Sequence, residues 1–381
     1  MKYIFSFLLI LIAGTSKVHS QQHNLPDSIY SGPQGNFHVQ GVVVDHANGY
    51  VYFSFTDRLV KTDLAGKMIG SVTGFVGHLG DLDIAPDGKV YGSLEYKNDA
   101  IGKGIQEKLG AKARLEDGFY IAIFDVTSIT RQNMNAEAEG LLRTVFLKEA
   151  TDDYNAEVTI NGRKEMHRFA CSGIDGVAFA PAIGNKSSSG KKYLYVAYGI
   201  YGDTNRDDND QQVILKYDVG DWSAYDTYLS QQSLHHSGPK KPMEKYFLRT
   251  GNTKYGIQNL AYDTHSGHLF AAVYRGSKPD FPNYDLFVID ISKKPFEALI
   301  RSDGDSVNVK MLSLLDAGQN HLATGIRGWN FPFGATGLCP LGDGTFYISQ
   351  PAKAKDGDQE STLFRYKWLG DDSKGFELIH P

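Results

Sequence analysis

His38-Val-Gln-Gly-Val-Val-Val-Asp45, then Asn48-Gly49, then Tyr50-Val-Tyr-Phe-Ser54, is the stretch whose reading decides the fold. Small residues lead into a run of valines, an Asn-Gly pair follows, and an aromatic run returns. β-Branched and aromatic side chains suit a pleated, half-buried surface. Asn-Gly tolerates the positive φ angles that a hairpin turn requires. Two antiparallel strands are therefore predicted. The pattern recurs as Gly80-Asp-Leu-Asp-Ile-Ala85 with Asp87-Gly88 and Lys89-Val-Tyr-Gly92, and as Gly173-Ile-Asp-Gly-Val-Ala-Phe179 with Tyr193-Leu-Tyr-Val-Ala-Tyr198. It returns as Gly256-Ile-Gln-Asn-Leu-Ala-Tyr-Asp263 with Ser266-Gly267 and His268-Leu-Phe-Ala-Ala-Val-Tyr274, and as Ala335-Thr-Gly-Leu-Cys-Pro340 with Asp343-Gly344 and Thr345-Phe-Tyr-Ile-Ser349.

Third strands are legible after most copies: Phe119–Asp125, Val213–Asp218, Leu286–Asp290 and Thr362–Trp368. Repeated antiparallel units of this kind predict an all-β fold, a β-propeller, in which radial repetition protects the sheet edges. The copies begin near residues 38, 79, 173, 256 and 335. At about 45 residues per blade, roughly 340 residues predict seven blades.

Outside this region, residues 1–20 read as a signal peptide. Lys2 supplies the positive start, Ile4 to Ala13 is apolar but too short to span a bilayer, and Val18 and Ser20 suit a cleavage site. The expectation is export to the periplasm or medium, with no membrane anchor because no lipid-accepting Cys follows. Residues 21–381 are expected to form a single propeller domain and a monomer. Without Lys2 and Lys17, Lys and Arg fall from 39 to 37 against 44 acidic residues, a net charge of −7. That balance argues against a nucleic-acid partner. Cys171 and Cys339 lie in apolar, strand-like stretches and read as buried free thiols, although an exported compartment leaves their pairing open.

In a propeller, the residues just before each inner strand lie on one face, the anterior, and the turn after it lies on the other, the posterior. His38, His78, Asp175, Gln258 and Asn259 are thereby assigned to the anterior mouth or channel. His46 and His265 are assigned to posterior turns.

The stretches Gly35-Asn-Phe-His-Val-Gln-Gly41, Gly77-His-Leu-Gly-Asp81, Gly173-Ile-Asp-Gly176 and Gly325-Ile-Arg-Gly-Trp329 sit on this pattern. Together they resemble bacterial seven-bladed propellers that remove terminal L-rhamnose from D-glucuronate in arabinogalactan side chains such as those of gum arabic. The resemblance spans nearly all of the mature chain. It implies a carbohydrate-active enzyme acting on an acidic plant-type glycan, in one of two chemistries. A hydrolytic branch, the α-L-rhamnosidases, relies on one posterior histidine, a position that His46 matches. A lyase branch works by β-elimination in an anterior pocket.

Glycoside hydrolysis normally employs two carboxylates, and no such pair stands out in the sequence. A histidine is a feasible substitute because it titrates near neutrality. Elimination needs a base for the weakly acidic C5 proton and a cation for the carboxylate. His38 and His78 are the anterior base or acid candidates. Arg168, Arg206, Arg275 and Arg327 are candidates to bind the carboxylate, since a guanidinium fork matches it, with Tyr255 and Tyr274 beside the substrate. Each arginine read alone is an ordinary ion-pairing loop residue. Hydrolysis at His46 is placed ahead of elimination. A non-catalytic glycan-binding propeller is the third alternative.

No cofactor is expected. The loop Asp203-Thr-Asn-Arg-Asp-Asp-Asn-Asp210 has oxygen-bearing residues at its first, third and fifth positions but lacks the Gly and Glu of an EF-hand. It reads as a solvated acidic loop, with a structural calcium left open. His235-His236 has no third ligand nearby, so zinc is not expected. Neither a serine nucleophile elbow nor a phosphate-cradling loop is present in the sequence.

Overall fold

The computed structural model describes residues 25–111, 116–184 and 190–379, so the signal peptide read at residues 1–20 lies outside the described residues. Five antiparallel sheets follow one another along the chain. Blade 1 runs Val39–Asp45, Tyr50–Phe55, Arg58–Asp63 and Met68–Thr73 from the centre outward. Blade 2 is His78–Ile84, Val90–Tyr96, Gly118–Phe124 and Leu142–Phe146. Blade 3 is Cys171–Pro181, Lys192–Ile200, Gln211–Tyr217 and Glu244–Arg249. Blade 4 is Thr253–Asp263, His268–Arg275 and Leu286–Ile289, extended outward by a bridge between Leu286 and Trp329. Blade 5 is Leu338–Pro340, Thr345–Lys353 and Gln359–Trp368, the last of which pairs with both Ser28–Tyr30 and Phe376–Leu378.

The inner strands are the five repeats read from the sequence, and they close into a ring. Ser54 Oγ donates to the Gly80 carbonyl, linking blades 1 and 2. Ser93 Oγ donates to the Asp175 carbonyl, linking blades 2 and 3. Gly256 of blade 4 lies so close to blade 3 that a Cβ there would come within 2.3 Å of the Tyr198 carbonyl oxygen. Asn259 completes the circle, donating to the Gln40 and Ala335 carbonyls and accepting from the Leu338 amide. At the centre, Asp81 Oδ2 accepts from the Val177 and Leu260 amides, both at 2.9 Å, so one carboxyl ties blade 2 to blades 3 and 4. Apolar clusters fill the wedges between neighbouring blades.

The blade count is five, which corrects the seven expected from chain length. The long intervals between repeats hold insertions rather than further blades. These are helix α1 (Ala100–Lys108), helix α2 (Lys148–Asn155), the hairpin Glu157–Ile160/Arg163–Met166, the hairpin Phe296–Ser302/Asp305–Met311 that adds to the edge of blade 3, and the hairpin Gln319–His321/Ile326–Gly328. Dividing length by a mean repeat assigns those residues to the ring, whereas they decorate it. Cys171 and Cys339 are buried and unpaired. Among the described residues, no helix is long and apolar enough to cross a membrane.

Candidate functional site

Each inner strand starts at the anterior face, and each second strand ends there. Side chains at those two positions from blades 1 to 4 surround a cavity of 480 Å³. Blade 1 contributes His38, Gln40 and Thr56; blade 2 contributes His78, Glu95 and Lys97; blade 3 contributes Ser172 and Asp175; blade 4 contributes Tyr255, Gln258 and Tyr274. Helix α1 follows directly on the second strand of blade 2 and forms one wall through Ile101, Gly104, Ile105 and Lys108. The volume suits a small ligand.

Glu95 organises the floor. Its Oε1 lies 3.1 Å from His78 Nδ1 and 2.5 Å from Lys97 Nζ, and its Oε2 accepts from the Ile174 amide at 3.1 Å. Gly173 makes the approach possible: its φ is +123°, and a Cβ there would sit 2.0 Å from Glu95 Oε2. The ammonium of Lys97 also donates to the Ser172 carbonyl at 2.8 Å. Burial opposes the charge on Lys97, but Glu95 and Asp99 outweigh it and raise its pKa. Glu95 faces His78 Nδ1, an arrangement that favours the tautomer with Nδ1–H donating to the carboxylate and Nε2 turned to accept.

Asp175 stands in a different state. Burial first, then the negative charge of Glu95, push its pKa up to about 7. Gln258 Nε2 donates to Asp175 Oδ2 at 2.9 Å. One nitrogen of His78 and one oxygen each of Glu95 and Asp175 lie within 4.8 Å of one another. Among the described residues these three form the group that could hold a metal, but Lys97 already supplies the cation that Glu95 requires. His38 has its pKa lowered, chiefly by burial and then by His78 and Lys108. Gln40 Nε2 lies 3.2 Å from His38 Nε2.

Tyr255 and Tyr274 meet edge to face with ring centroids 6.3 Å apart. Tyr255 has a φ of +68° at an irregularity in the blade 4 pairing, a conformation rare for an aromatic residue and one found where function holds the backbone in place.

The structure thus brings together His38, His78, Tyr255 and Tyr274, with Asp175 and Gln258 that the sequence also assigned to the anterior mouth, and it places His46 and the four arginines elsewhere. His46 lies in the exposed turn at the far end of the seven-residue strand that follows His38. At about 3.3 Å per residue that puts it roughly 25 Å from the anterior group. The four arginines do not line the anterior cavity. Arg168 pairs with Asp153 at 3.3 Å, Arg275 with Asp285 at 2.7 Å and Arg327 with Asp316 at 3.0 Å. Arg206 is buried, gripping Asp208 and donating to the Met166 and His167 carbonyls. The loop expected to be solvated is so only in part: Asp203, Thr204 and Asn205 are exposed, whereas Asp208 and Asn209 are buried and the Lys278 ammonium lies 2.5 Å from Asp210 Oδ1. Two of its four aspartates are met by internal cations, Asp208 by Arg206 and Asp210 by Lys278.

No protein-family model and no curated relative matches the chain. Solved structures similar to it include a glucose dehydrogenase at 11% identity and a TM-score of 0.37, covering 89% of this chain and 99% of that one. A calcium-binding protein, regucalcin, from Agrobacterium tumefaciens str. C58 is 11% identical with a TM-score of 0.34, covering 89% of this chain and 94% of that one. The PQQ domain of a pyranose dehydrogenase from Coprinopsis cinerea is 11% identical with a TM-score of 0.33, covering 85% and 81%.

Proposed function

We propose that the anterior cavity is the active site of a lyase that releases a terminal sugar from a uronate by β-elimination, with L-rhamnose-α-1,4-D-glucuronate as the substrate. The observation that carries this reading is the proximity of an oriented base, His78 on Glu95, to a carboxyl that holds its proton near neutrality, Asp175, within 4.8 Å. An inverting hydrolase needs its acid and base about 6.5–9.5 Å apart to admit a water on the far side of the ring. A retaining hydrolase needs a free nucleophilic carboxylate, and both oxygens of Glu95 are already engaged. In D-glucuronate H5 and O4 lie on the same face of the ring, so elimination is syn and calls for a base and an acid side by side. The choice of sugar comes from the sequence resemblance, and the chemistry comes from the cavity.

In the proposed step, His78 Nε2 takes the C5 proton, and the electron pair of that C–H bond forms the C4–C5 double bond. The C4–O bond breaks, and Asp175 protonates the departing rhamnose oxygen. His78 ends with one proton more and Asp175 with one fewer, and a proton transfer between them restores the site. Incubation with rhamnosyl-glucuronate-terminated arabinogalactan tests the reading: rhamnose should appear together with the ultraviolet absorbance of an unsaturated uronate. Rhamnose released with a saturated glucuronate would instead support hydrolysis, and no release would end both readings.

Two further outcomes separate the faces of the propeller. His46→Ala should leave the rate of rhamnose release within about twofold, because exposed turn substitutions away from a site are close to neutral. Loss of activity in that variant would return the chemistry to the posterior turn. The pH dependence follows from Asp175, which must be protonated to act as the acid. The active fraction is present below its pKa and is lost as pH rises through about 7. The value of kcat/KM should therefore fall above neutrality by about tenfold per pH unit, and a profile still rising at alkaline pH would exclude Asp175 as the donor.

A further inference from the structure

Two lysines line the cavity, and only one has its charge neutralised inside the protein. Lys97 is paired with Glu95 at 2.5 Å. Lys108, the last residue of α1, is exposed at the mouth and has no ion-pair partner among the described residues. Its ammonium lies 5.2 Å from the centroid of the Phe37 ring, which belongs to the opposite lip. Its charge also reaches into the cavity, where it adds to burial and His78 in lowering the pKa of His38.

Helix α1 presents this charge on a fixed wall. Asp99 caps its first turn by accepting from the Gly102 amide at 2.8 Å, and Tyr201 holds the other oxygen of Asp99 at 2.8 Å. Gly102 lies directly on the Lys97 carbonyl, where a Cβ would be only 1.8 Å from the oxygen. Ile101, Gly104, Ile105 and Lys108 follow the i, i+3, i+4, i+7 spacing of one helix face, and that face lines the cavity. A Cβ on Gly104 would meet nothing within 4 Å, so the wall is open at Gly104, one turn before Lys108.

We infer that Lys108 is the residue that selects an anionic sugar, reading its carboxylate at the mouth of the cavity, and that α1 is the specificity element of the site. This rests on the cavity being a uronate site, but its test does not require turnover. A lysine gives a point charge on a flexible stem and makes no demand for two-pronged geometry, so it suits a carboxylate that enters and leaves at a rim.

The test is equilibrium binding of methyl β-D-glucuronide and methyl β-D-glucoside to the intact protein, followed by calorimetry or ligand-observed NMR at low salt. The two probes differ only in carboxylate against hydroxymethyl. The wild type should bind the glucuronide about tenfold more tightly, the range of a charge-assisted contact. Lys108→Gln should remove that preference by weakening the glucuronide alone, and Lys108→Arg should retain it. Equal binding of the two sugars by the wild type, binding of neither, or a preference that survives Lys108→Gln would each overturn the inference. A preference that depends on Lys108, in a protein that cleaves no rhamnosyl-glucuronate, would support the inference and remove the lyase reading.

Discussion

His78→Gln lowers the rate of unsaturated-uronate formation by about 10²–10⁴-fold, the range supplied by a positioned acid or base, while the protein melts as the wild type does. Glutamine keeps an amide donor toward Glu95 but has no nitrogen that can accept a proton. The loss should fall on kcat with little change in KM, because the C5 proton is transferred only in the transition state. Ultraviolet progress curves and a thermal melt of the same preparation check both halves of the expectation. Activity within tenfold of the wild type would remove His78 from the chemistry. Glu95→Gln is a poorer probe. It leaves the buried Lys97 ammonium with only the more distant Asp99 at 3.9 Å in place of Glu95 at 2.5 Å, and breaking a buried pair costs about 3–5 kcal/mol, so lost activity could not be told apart from lost structure.

Asp81→Ala is the substitution expected to damage the fold most for its size. The carboxyl accepts from the Val177 and Leu260 amides through Oδ2 and from the Leu82 amide through Oδ1, at the point where three inner strands converge. Alanine leaves those buried donors without an acceptor, and each orphaned group costs about 1–3 kcal/mol. The predicted loss is therefore about 3 kcal/mol or more, read as a lower midpoint in denaturant with the slope unchanged. Asp81→Asn should cost less, because it keeps one carbonyl oxygen for the amides of the neighbouring blades. A midpoint for Asp81→Ala within about 0.5 kcal/mol of the wild type, the range of neutral surface changes, would mean that the ring does not depend on this hub.

The inner strands were legible because their physical demands are local. Small residues pack where blades crowd at the axis, valines and aromatics fill the strands, and Asn-Gly or Asp-Gly marks the turns. The blade number was not, because an insertion and a blade occupy the same length of sequence. The anterior histidines were found from their position before an inner strand. Glu95 and Lys97 were missed because the second strand of blade 2 was read only as far as Gly92, yet the signal was present. Tyr91-Gly-Ser-Leu-Glu-Tyr-Lys97 places two opposite charges on alternate positions of an otherwise apolar strand, and alternate positions share a face. The arginines misled for the converse reason. Arg206 and Arg275 each have an aspartate within ten residues that accepts both arms of the guanidinium, so the fork that suits a substrate carboxylate had a partner in the chain already.

Both ends of the described chain are stitched to one strand, Gln359–Trp368, with Ser31 and Ser361 bonded across 330 positions of sequence. The seam of the ring thus runs inside blade 5 rather than between two blades. A chain emerging from its N-terminus can build four blades in order, but Ser28–Tyr30 must wait unpaired until the final segment arrives. Long-range pairing of this kind is slow to form and leaves a strand edge open in the meantime. The same geometry makes the molecule a candidate for circular permutation: joining the neighbouring ends and opening the chain at the exposed Asp87-Gly88 turn would move the seam to blade 2 and leave the anterior cavity's residues on their own strands.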